Sequence, residues 1–134
     1  MKHITKLIPL ILLIGASSLH AEEPKARDEI AEKYKWDLTD MYVSTDRWEA
    51  DIVKYNALLP EIESYRGRLG SNGKTLLAVI QKMEETEMLI SDIVVYAGLK
   101  SYEDMRVGEN SANFSRARTL STKYNEATSY MRPE

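Results

Sequence analysis

The apolar residues of this chain recur at spacings of three and four along most of its length, and this period most constrains what the chain can fold into. Between residues 45 and 65 the apolar series is Trp48, Ile52, Tyr55, Leu59 and Ile62. Such spacing places the side chains on one face of an α-helix. No segment alternates apolar and polar residues with the period of two that a half-buried strand requires. We therefore predict an all-α fold.

The same period continues in two later segments. The second predicted helix covers about residues 74–100, and its apolar positions are Leu76, Ile80, Met83, Ile90, Val94 and Ala97, with Glu87 in one further apolar slot. The third covers about residues 110–130, and its apolar positions are Phe114, Ala117, Leu120, Tyr124, Ala127 and Met131. The connections between these segments are short, which predicts an antiparallel hairpin or bundle of about three long helices. Pro60 is expected to kink or break the first helix.

Residues 1–21 have the layout of a cleavable signal peptide. Basic residues up to Lys6 precede an apolar run that begins at Leu7, and small residues then lead to Ala21. The apolar run, which Pro9 interrupts, is shorter than the about 18 residues that a membrane span requires. We expect cleavage after Ala21, a periplasmic or secreted mature chain, and no membrane association after cleavage.

Composition excludes several kinds of chemistry from the mature chain. The sequence contains no Cys, and its two His residues, His3 and His20, both lie in the predicted signal peptide. The mature chain therefore lacks the usual zinc ligands and the residues of Cys- or His-dependent nucleophilic catalysis. A net charge of −3 argues against a nucleic-acid partner, which clustered basic residues would bind. We predict no catalytic, cofactor-binding or metal-binding residue in this chain.

Residues 22–43 are predicted to form an extended lead-in with one capped turn. The charged first part, residues 22–33, is expected to be solvated. Asp37 is a good N-cap residue with Asp40 three positions later, and Trp36 and Met41 occupy the positions of a hydrophobic staple.

The predicted helical domain spans residues 44–134. Ser44 is expected to cap the first long helix, and Val43 and Trp48 stand at the positions of a second staple. Two caps and two staples in succession would fix the path by which the lead-in enters the bundle.

Two local patterns that could suggest a ligand site have simpler interpretations. Gly73-Lys74-Thr75 matches only the end of a phosphate-binding loop, because Arg68 stands where the loop needs its first Gly. We predict a helix start there instead. The cluster Glu84, Glu85 and Glu87 could offer oxygens to a hard cation, but within a helix it is better explained as a solvated face.

Two further patterns could suggest a functional site: a set of tyrosines and a glycosylation motif. Tyrosines at helical spacing could form a stacking surface for a ligand, but we predict core residues with hydroxyls at the rim. The residues concerned are Tyr55, Tyr65, Tyr96, Tyr124 and Tyr130. Asn113-Phe114-Ser115 matches a glycosylation acceptor but falls within the third predicted helix.

Several segments of the sequence are similar to a known family. They are Tyr34–Tyr42 with Ser44, Trp48–Asp51, Tyr65–Leu69, Tyr96–Ser101, Glu103–Arg106 and Arg132–Glu134. Together they resemble the start of oligoendopeptidase F, a zinc metallopeptidase related to the thimet oligopeptidases. Val43 stands where the family often has Pro, and Met105 where it often has Thr.

The resemblance implies the amino-terminal helical part of an exported enzyme that hydrolyses oligopeptides, with its helices forming part of the wall around a substrate channel. The family holds its zinc with an H-E-x-x-H helix and a downstream Glu, and this sequence has no counterpart of those positions. Zinc and the oligopeptide substrate are thus expected only in the full-length enzyme, where the catalytic domain would be the intramolecular partner. The chain would then be a fragment or a truncated product, inactive alone. The alternative is a stand-alone, non-catalytic helical binding or scaffold protein of the periplasm.

Overall fold

The computed structural model describes residues 25–132, so the predicted signal peptide lies outside the described part. Three long helices dominate it: α1 (Thr45–Glu63), α2 (Gly73–Glu103) and α3 (Gly108–Thr128). Short 3-10 turns occupy Arg27–Glu29, Glu32–Tyr34, Leu69–Ser71 and Ser129–Met131. No strand occurs between residues 25 and 132, and the prediction of an all-α fold with three long helices is confirmed.

Helices α1 and α2 run antiparallel. Near the start of α1, the indole nitrogen of Trp48 donates a hydrogen bond of 3.0 Å to the carbonyl of Ile93, in the second half of α2. Near the end of α1, Glu61 lies 3.1 Å from the ammonium of Lys82, in the first half of α2. The order of contacts is therefore reversed between the two helices.

Helices α2 and α3 are also antiparallel. Gly98, late in α2, lies against the ring of Phe114, early in α3, and a Cβ at Gly98 would meet that ring at 3.2 Å. The hydroxyl of Tyr124, late in α3, lies 3.4 Å from the carbonyl of Met83, early in α2. The glycine therefore permits a close approach of the two helices that a larger residue would disturb.

Side chains cap the starts of α1 and α2, at the predicted residue Ser44 and at Asn72, which was not predicted as a cap. The Ser44 hydroxyl accepts a bond of 3.4 Å from the Arg47 N–H at the start of α1, and the Asn72 side chain accepts one of 3.0 Å from the Thr75 N–H at the start of α2. Pro60 lies within α1, which continues to Glu63, so the proline does not end the helix. Because Pro60 falls in the last turn, it removes a single hydrogen bond close to the helix end.

The buried face of α2 differs from the predicted one. Its fully buried side chains include Val79, Thr86 and Ile93, each 0% exposed. The predicted core residues Leu76 and Ile80 are 40% and 38% exposed, whereas Ile90 and Ala97 are buried as predicted. Val79, Thr86 and Ile93 each stand one residue before a predicted core position, so the buried face of α2 is shifted by one residue toward the amino terminus. Thr86 can occupy it because its hydroxyl donates a 2.7 Å bond to the Lys82 carbonyl one turn back.

The core consists of two clusters along the bundle. The larger one takes side chains from all three helices, including Trp48, Ile52, Tyr55, Ile93, Tyr96, Ala117 and Leu120. The smaller one lies at the other end and is formed by Ile62, Leu69, Val79 and Tyr130. Side chains from the predicted apolar faces of α1 and α3 contribute to these clusters.

Aromatic polar groups join the helices through main-chain carbonyls. The Tyr55 hydroxyl donates to the Leu120 carbonyl at 2.6 Å, and the Tyr130 hydroxyl donates to the Ile62 carbonyl at 2.7 Å. Both rings are almost fully buried, and burial raises the pKa of Tyr55 to about 12. These tyrosines are core residues, as predicted, but their hydroxyls are buried and bonded to a neighbouring element instead of lying at the rim.

Within the described residues, no helix is both long and apolar enough to cross a membrane.

Candidate functional site

The lead-in folds back over one end of the bundle and encloses a cleft there. The cleft has a volume of about 340 Å³ and lies where the lead-in meets the start of α1 and the end of α2. Its walls include Arg27, Trp36 and Tyr42 of the lead-in and Tyr96 and Glu103 of α2. We call this region the end cleft. It combines exposed and buried aromatic surface with charged groups.

The Glu103 carboxylate is the most unusual group of the end cleft. It belongs to the last residue of α2, and only 3% of its side chain is exposed. Arg27 Nη2 lies 2.6 Å from Oε1, and Lys100 Nζ lies 3.3 Å from Oε2. The Arg27 contact is an ion pair without hydrogen-bond geometry, so the buried Oε1 accepts no hydrogen bond. Glu103 thus forms ion pairs with two cations, while its Oε1 accepts no hydrogen bond.

Two arginines hold the lead-in against the bundle. Arg27 pairs with Glu103 of α2 and, within the lead-in itself, donates to the Trp36 carbonyl at 3.3 Å. Arg106 Nη2 donates to the Lys25 carbonyl at 3.3 Å. Arg106 is itself held by Asp104 through two bonds of 2.8 Å, and this guanidinium lowers the pKa of Asp104 to about 2. Most of residues 25–33 are exposed, as predicted for a solvated segment, and these contacts anchor that segment at Lys25 and Arg27.

A single turn follows Trp36, and Asp37 caps it. The Asp37 carboxylate accepts bonds of 2.6 Å from the Thr39 hydroxyl and 2.9 Å from the Thr39 N–H, and these bonds lower its pKa. The Met41 N–H closes the turn on the Leu38 carbonyl at 3.1 Å. Asp37 therefore forms the predicted cap through Thr39, without the reciprocal bond expected from Asp40.

The predicted hydrophobic staples are not closed. Trp36, the predicted partner of Met41, is 54% exposed, and Val43, the predicted partner of Trp48, is 73% exposed, although Trp48 itself is only 1% exposed. Trp36 lines the end cleft together with Asp37, Leu38 and Thr39 of the turn. This position makes it accessible to a ligand.

Tyr42 ties the lead-in to the aromatic core. Its ring meets the edge of Tyr96 with centroids 5.0 Å apart, and its hydroxyl donates to Asp51 at 3.1 Å. Burial, followed by the Asp51 bond, raises the pKa of Tyr42. The hydroxyl is therefore a fixed donor that is protonated at physiological pH.

The acidic cluster of α2 behaves as a helix face. Glu84 and Glu87 are exposed, and Glu85 lies 3.3 Å from Lys54 and 3.4 Å from Lys82. Among residues 25–132 no group of His, Cys, Asp and Glu side chains is placed to hold a metal ion. The described residues therefore do not provide a set of ligands for zinc.

The remaining candidate patterns belong to helices. Gly73-Lys74-Thr75 begins α2 behind the Asn72 cap, so the predicted helix start is confirmed. Asn113-Phe114-Ser115 lies within α3, and Phe114 packs edge to face against Tyr102 with centroids 5.8 Å apart.

Sequence reasoning singled out neither Arg27 nor Glu103, which lie far apart in the chain and meet only in the folded state. One signal does point to their location. Four of the segments that carry the family resemblance converge on or beside the end cleft: Tyr34–Tyr42, Trp48–Asp51, Tyr96–Ser101 and Glu103–Arg106.

Comparison with known proteins identifies relatives of this chain. It is 32% identical over 111 residues to the oligoendopeptidase F homolog of Lactococcus lactis subsp. lactis (strain IL1403), a match that covers 82% of this chain and 18% of that protein. It is 27% identical over 108 residues to the group B oligopeptidase PepB of Streptococcus agalactiae serotype III (strain NEM316), covering 81% and 18% of the two chains. The oligopeptidase PepF of Bacillus subtilis (strain 168) is 25% identical over 119 residues, covering 85% and 18%.

No family model matches the chain, and no solved structure matches it. The matched region is about 18% of the length of each of these relatives. The resemblance noted in the sequence is confirmed: the chain is similar to oligoendopeptidase F proteins over most of its own length.

Proposed function

We propose that this helical bundle is the amino-terminal, non-catalytic part of an exported, zinc-dependent oligopeptide-hydrolysing enzyme and forms part of the wall of its substrate channel. The observation that carries the proposal is the pattern of coverage. The match takes in 82% of this chain but only 18% of a relative named as an oligoendopeptidase F homolog. The bundle would thus shape the space around a peptide, and other residues of the protein would cleave it.

The residue types support a non-catalytic role. The sequence has no Cys, and its only His residues are His3 and His20. Peptide hydrolysis by a zinc-bound water requires ligands that are usually His, Cys and carboxylates held close together. The hydrolytic chemistry would accordingly belong to a catalytic domain that acts as the intramolecular partner of this bundle.

A line of exposed apolar residues along α2 supports contact with further protein. Leu77, Met88, Val95 and Tyr102 are 55%, 66%, 45% and 61% exposed. Their spacings of 11 and 7 residues place them on one side of the helix, because both are close to whole numbers of turns. Aligned apolar surface of this kind is typical of an interface. We infer that this α2 line packs against the catalytic part of the peptidase.

Export is the part of the proposal that depends on residues 1–21. A basic start, an apolar run and small residues before Ala21 support secretion to the periplasm or beyond. Mass spectrometry of the exported protein should find a new amino terminus at Glu22. Retention of Met1 in protein recovered from the periplasm would contradict cleavage.

A chimeric enzyme tests the channel-wall role. The residues of this chain that match the Lactococcus lactis relative would replace the corresponding segment of that protein. We expect the chimera to retain hydrolysis of an oligopeptide reporter, and we expect a metal chelator to abolish it. A folded chimera without activity would count against the proposal and favour a stand-alone binding or scaffold protein.

Surface variants in the chimera test the α2 line. Met88→Glu and Val95→Glu place charges on exposed positions, so they should leave the helix content unchanged but reduce hydrolysis by about tenfold or more if the line is buried against the catalytic part. Arg118→Glu on the exposed side of α3 is the matched control and should have little effect. Equal activity of all three variants would show that the α2 line is not the interface.

A further inference from the structure

We propose that Asn72 is a site of spontaneous deamidation, at which the side-chain amide is lost as ammonia and the start of α2 acquires an aspartate or an isoaspartate. The proposal goes beyond the channel-wall function and does not depend on it. It rests on the sequence Asn72-Gly73, on the exposure of this pair, and on the position of Asn72 as the cap of α2.

The reaction joins the side chain of Asn72 to the main chain of the residue that follows. The Gly73 nitrogen loses its proton to hydroxide and attacks Cγ of Asn72. The Cγ–Nδ2 bond breaks, and Nδ2 takes up a proton from water and leaves as ammonia, so that a cyclic succinimide remains. Water then opens the ring at Cγ, which gives an aspartate, or at the main-chain carbonyl, which gives an isoaspartate whose main chain runs through Cβ.

Gly73 is the residue that makes the attack possible. It has no Cβ to shield its nitrogen, and a Cβ built there meets no atom within 4 Å, so no neighbouring group crowds this position. Gly73 is also the first residue of α2, where an N–H has no acceptor within the helix. The positive end of the helix dipole stabilises the anion that forms when this nitrogen loses its proton.

The cap of α2 controls access to the reaction. Asn72 Oδ1 accepts a bond of 3.0 Å from the Thr75 N–H and one of 3.3 Å from the Thr75 hydroxyl. The backbone of Asn72 is extended, with φ −173° and ψ 164°. Ring closure requires Cγ to turn toward the Gly73 nitrogen, and the two bonds to Thr75 oppose that rotation. The reaction therefore proceeds when the first turn of α2 frays, as helix ends do.

The other asparagines differ from Asn72 in both sequence and structure. They are Asn56 in α1 and Asn110, Asn113 and Asn125 in α3, and none of them precedes a glycine. Within a helix, the main-chain nitrogen that would attack is bonded to a carbonyl one turn back. The Asn56 and Asn110 side chains also donate to main-chain carbonyls, at 2.8 Å and 3.1 Å. We therefore expect these residues to keep their amides longer.

Deamidation would change the cap that starts the longest helix of the bundle. An aspartate at residue 72 keeps an oxygen for the Thr75 N–H, and its negative charge is favoured at a helix amino terminus. An isoaspartate adds Cβ to the main chain, so its carboxylate and carbonyl no longer occupy the positions of a cap. We expect the aspartate form to retain the first turn of α2 and the isoaspartate form to lose it.

Peptide mapping of the full, folded chain measures the reaction. The chain is kept at mildly alkaline pH, and trypsin then releases Asn72 in the peptide of residues 69–74, LGSNGK. Samples digested before the incubation correct for deamidation during digestion. We expect amide loss at Asn72 to be at least about tenfold faster than at Asn125, which is exposed within α3.

Two glycine variants separate the role of Gly73 from a general effect on the segment. Gly73→Ala should slow the loss at Asn72 by at least about tenfold, because the added Cβ hinders the attack. Gly70→Ala, in the preceding 3-10 turn and equally free of neighbours, is the matched control and should leave the rate unchanged.

Hydrogen exchange tests the consequence for the helix. After chromatographic separation of the two products, amides 73–76 should exchange faster in the isoaspartate form, whereas the Asn72→Asp chain should exchange as the unmodified chain does. Equal rates of amide loss at Asn72 and Asn125, equal rates in the unmodified and Gly73→Ala chains, or an isoaspartate form with unchanged exchange would overturn the proposal.

Discussion

The two ends of the bundle are closed by different kinds of interaction. At the lead-in end, Arg27 meets the buried Glu103, and Arg106 bridges Asp104 and the lead-in main chain. At the far end, the apolar cluster of Ile62, Leu69, Val79 and Tyr130 fills the space between the helices. Apolar burial responds little to salt or pH, whereas ion pairs near the surface respond to both. We therefore expect the far end to stay closed under conditions in which the lead-in end opens without unfolding of the bundle.

The largest expected effect is a loss of stability caused by a substitution in the apolar cluster at the far end. Ile62 is 0% exposed, so Ile62→Ala should lower the free energy of unfolding by about 2–5 kcal/mol through lost transfer energy and a residual cavity. Urea denaturation followed by circular dichroism measures this change, and added salt should not restore it. Val53→Ala on the exposed side of the same helix, where Val53 is 70% exposed, should change stability by less than about 0.5 kcal/mol. Similar losses in both variants would contradict the account of the far end.

The next largest effect is expected from removing the Arg27 side chain, which should allow the lead-in end to open. Arg27→Ala leaves Glu103 with Lys100 as its remaining ionic partner, which should cost about 1–3 kcal/mol. We expect most of this loss to appear as faster amide hydrogen exchange in residues 25–36, because the lead-in can lift and let water reach the carboxylate. Protection of α1 should be little changed. Uniform acceleration across all three helices would show that the lead-in end is not an independent unit.

A smaller effect concerns the hydrogen bonds by which buried tyrosine hydroxyls join one helix to another. Tyr55→Phe removes the hydroxyl that donates to the Leu120 carbonyl and should lower the free energy of unfolding by about 1 kcal/mol. Thermal melts report the change, and Tyr102→Phe, at a residue 61% exposed, provides a control that should melt as the unmodified chain. A Tyr55→Phe chain as stable as the unmodified one would mean that the ring alone holds this position.

The smallest expected effect is a loosening of the charged end in acid. Arg106 lowers the pKa of Asp104 from 3.8 to about 2. A folded-state pKa below the unfolded value contributes stability that is present above the unfolded pKa and is lost as pH falls through the folded one. The contribution of Asp104 should therefore disappear between about pH 4 and pH 2.

Trp36 and Trp48 report on this acid response separately. Trp36 lies at the cleft and Trp48 in the core, so chains with Trp48→Phe or Trp36→Phe isolate one fluorescence signal each. We expect the Trp36 signal to change at a higher pH than the Trp48 signal, and we expect Asp104→Asn to weaken the early change. Coincident transitions of the two signals would indicate that the ends respond as one unit.

The regular period of the sequence was sufficient to predict three helices, their order and the buried faces of α1 and α3. It was insufficient for α2, because that helix carries apolar residues on more than one side. The predicted positions Leu76 and Ile80 are aliphatic but partly exposed, whereas Thr86 is polar and fully buried. A hydroxyl that bonds to its own helix can enter a core, and no periodicity in hydrophobicity reveals that bond.

The end cleft was less predictable for a related reason. The second helix was expected to end near Lys100, which left Glu103 in a bend. The observed helix extends to Glu103 and turns its side chain inward, where the distant Arg27 and the neighbouring Lys100 make the burial of a carboxylate tolerable. Such long-range pairing of charges depends on the assembled bundle and leaves no local pattern.

The bonds from buried aromatic side chains to main-chain carbonyls have a consequence for how this fold can change over generations. Trp48, Tyr55 and Tyr130 donate to the backbone of Ile93, Leu120 and Ile62, and each residue has the same carbonyl whatever its side chain. The accepting positions can therefore exchange one apolar residue for another without losing the bond, while the donating positions cannot. Sequence drift should accordingly be tolerated more readily at the acceptors than at the three aromatic donors, and the crossing points of the helices would persist while the residues around them diverge.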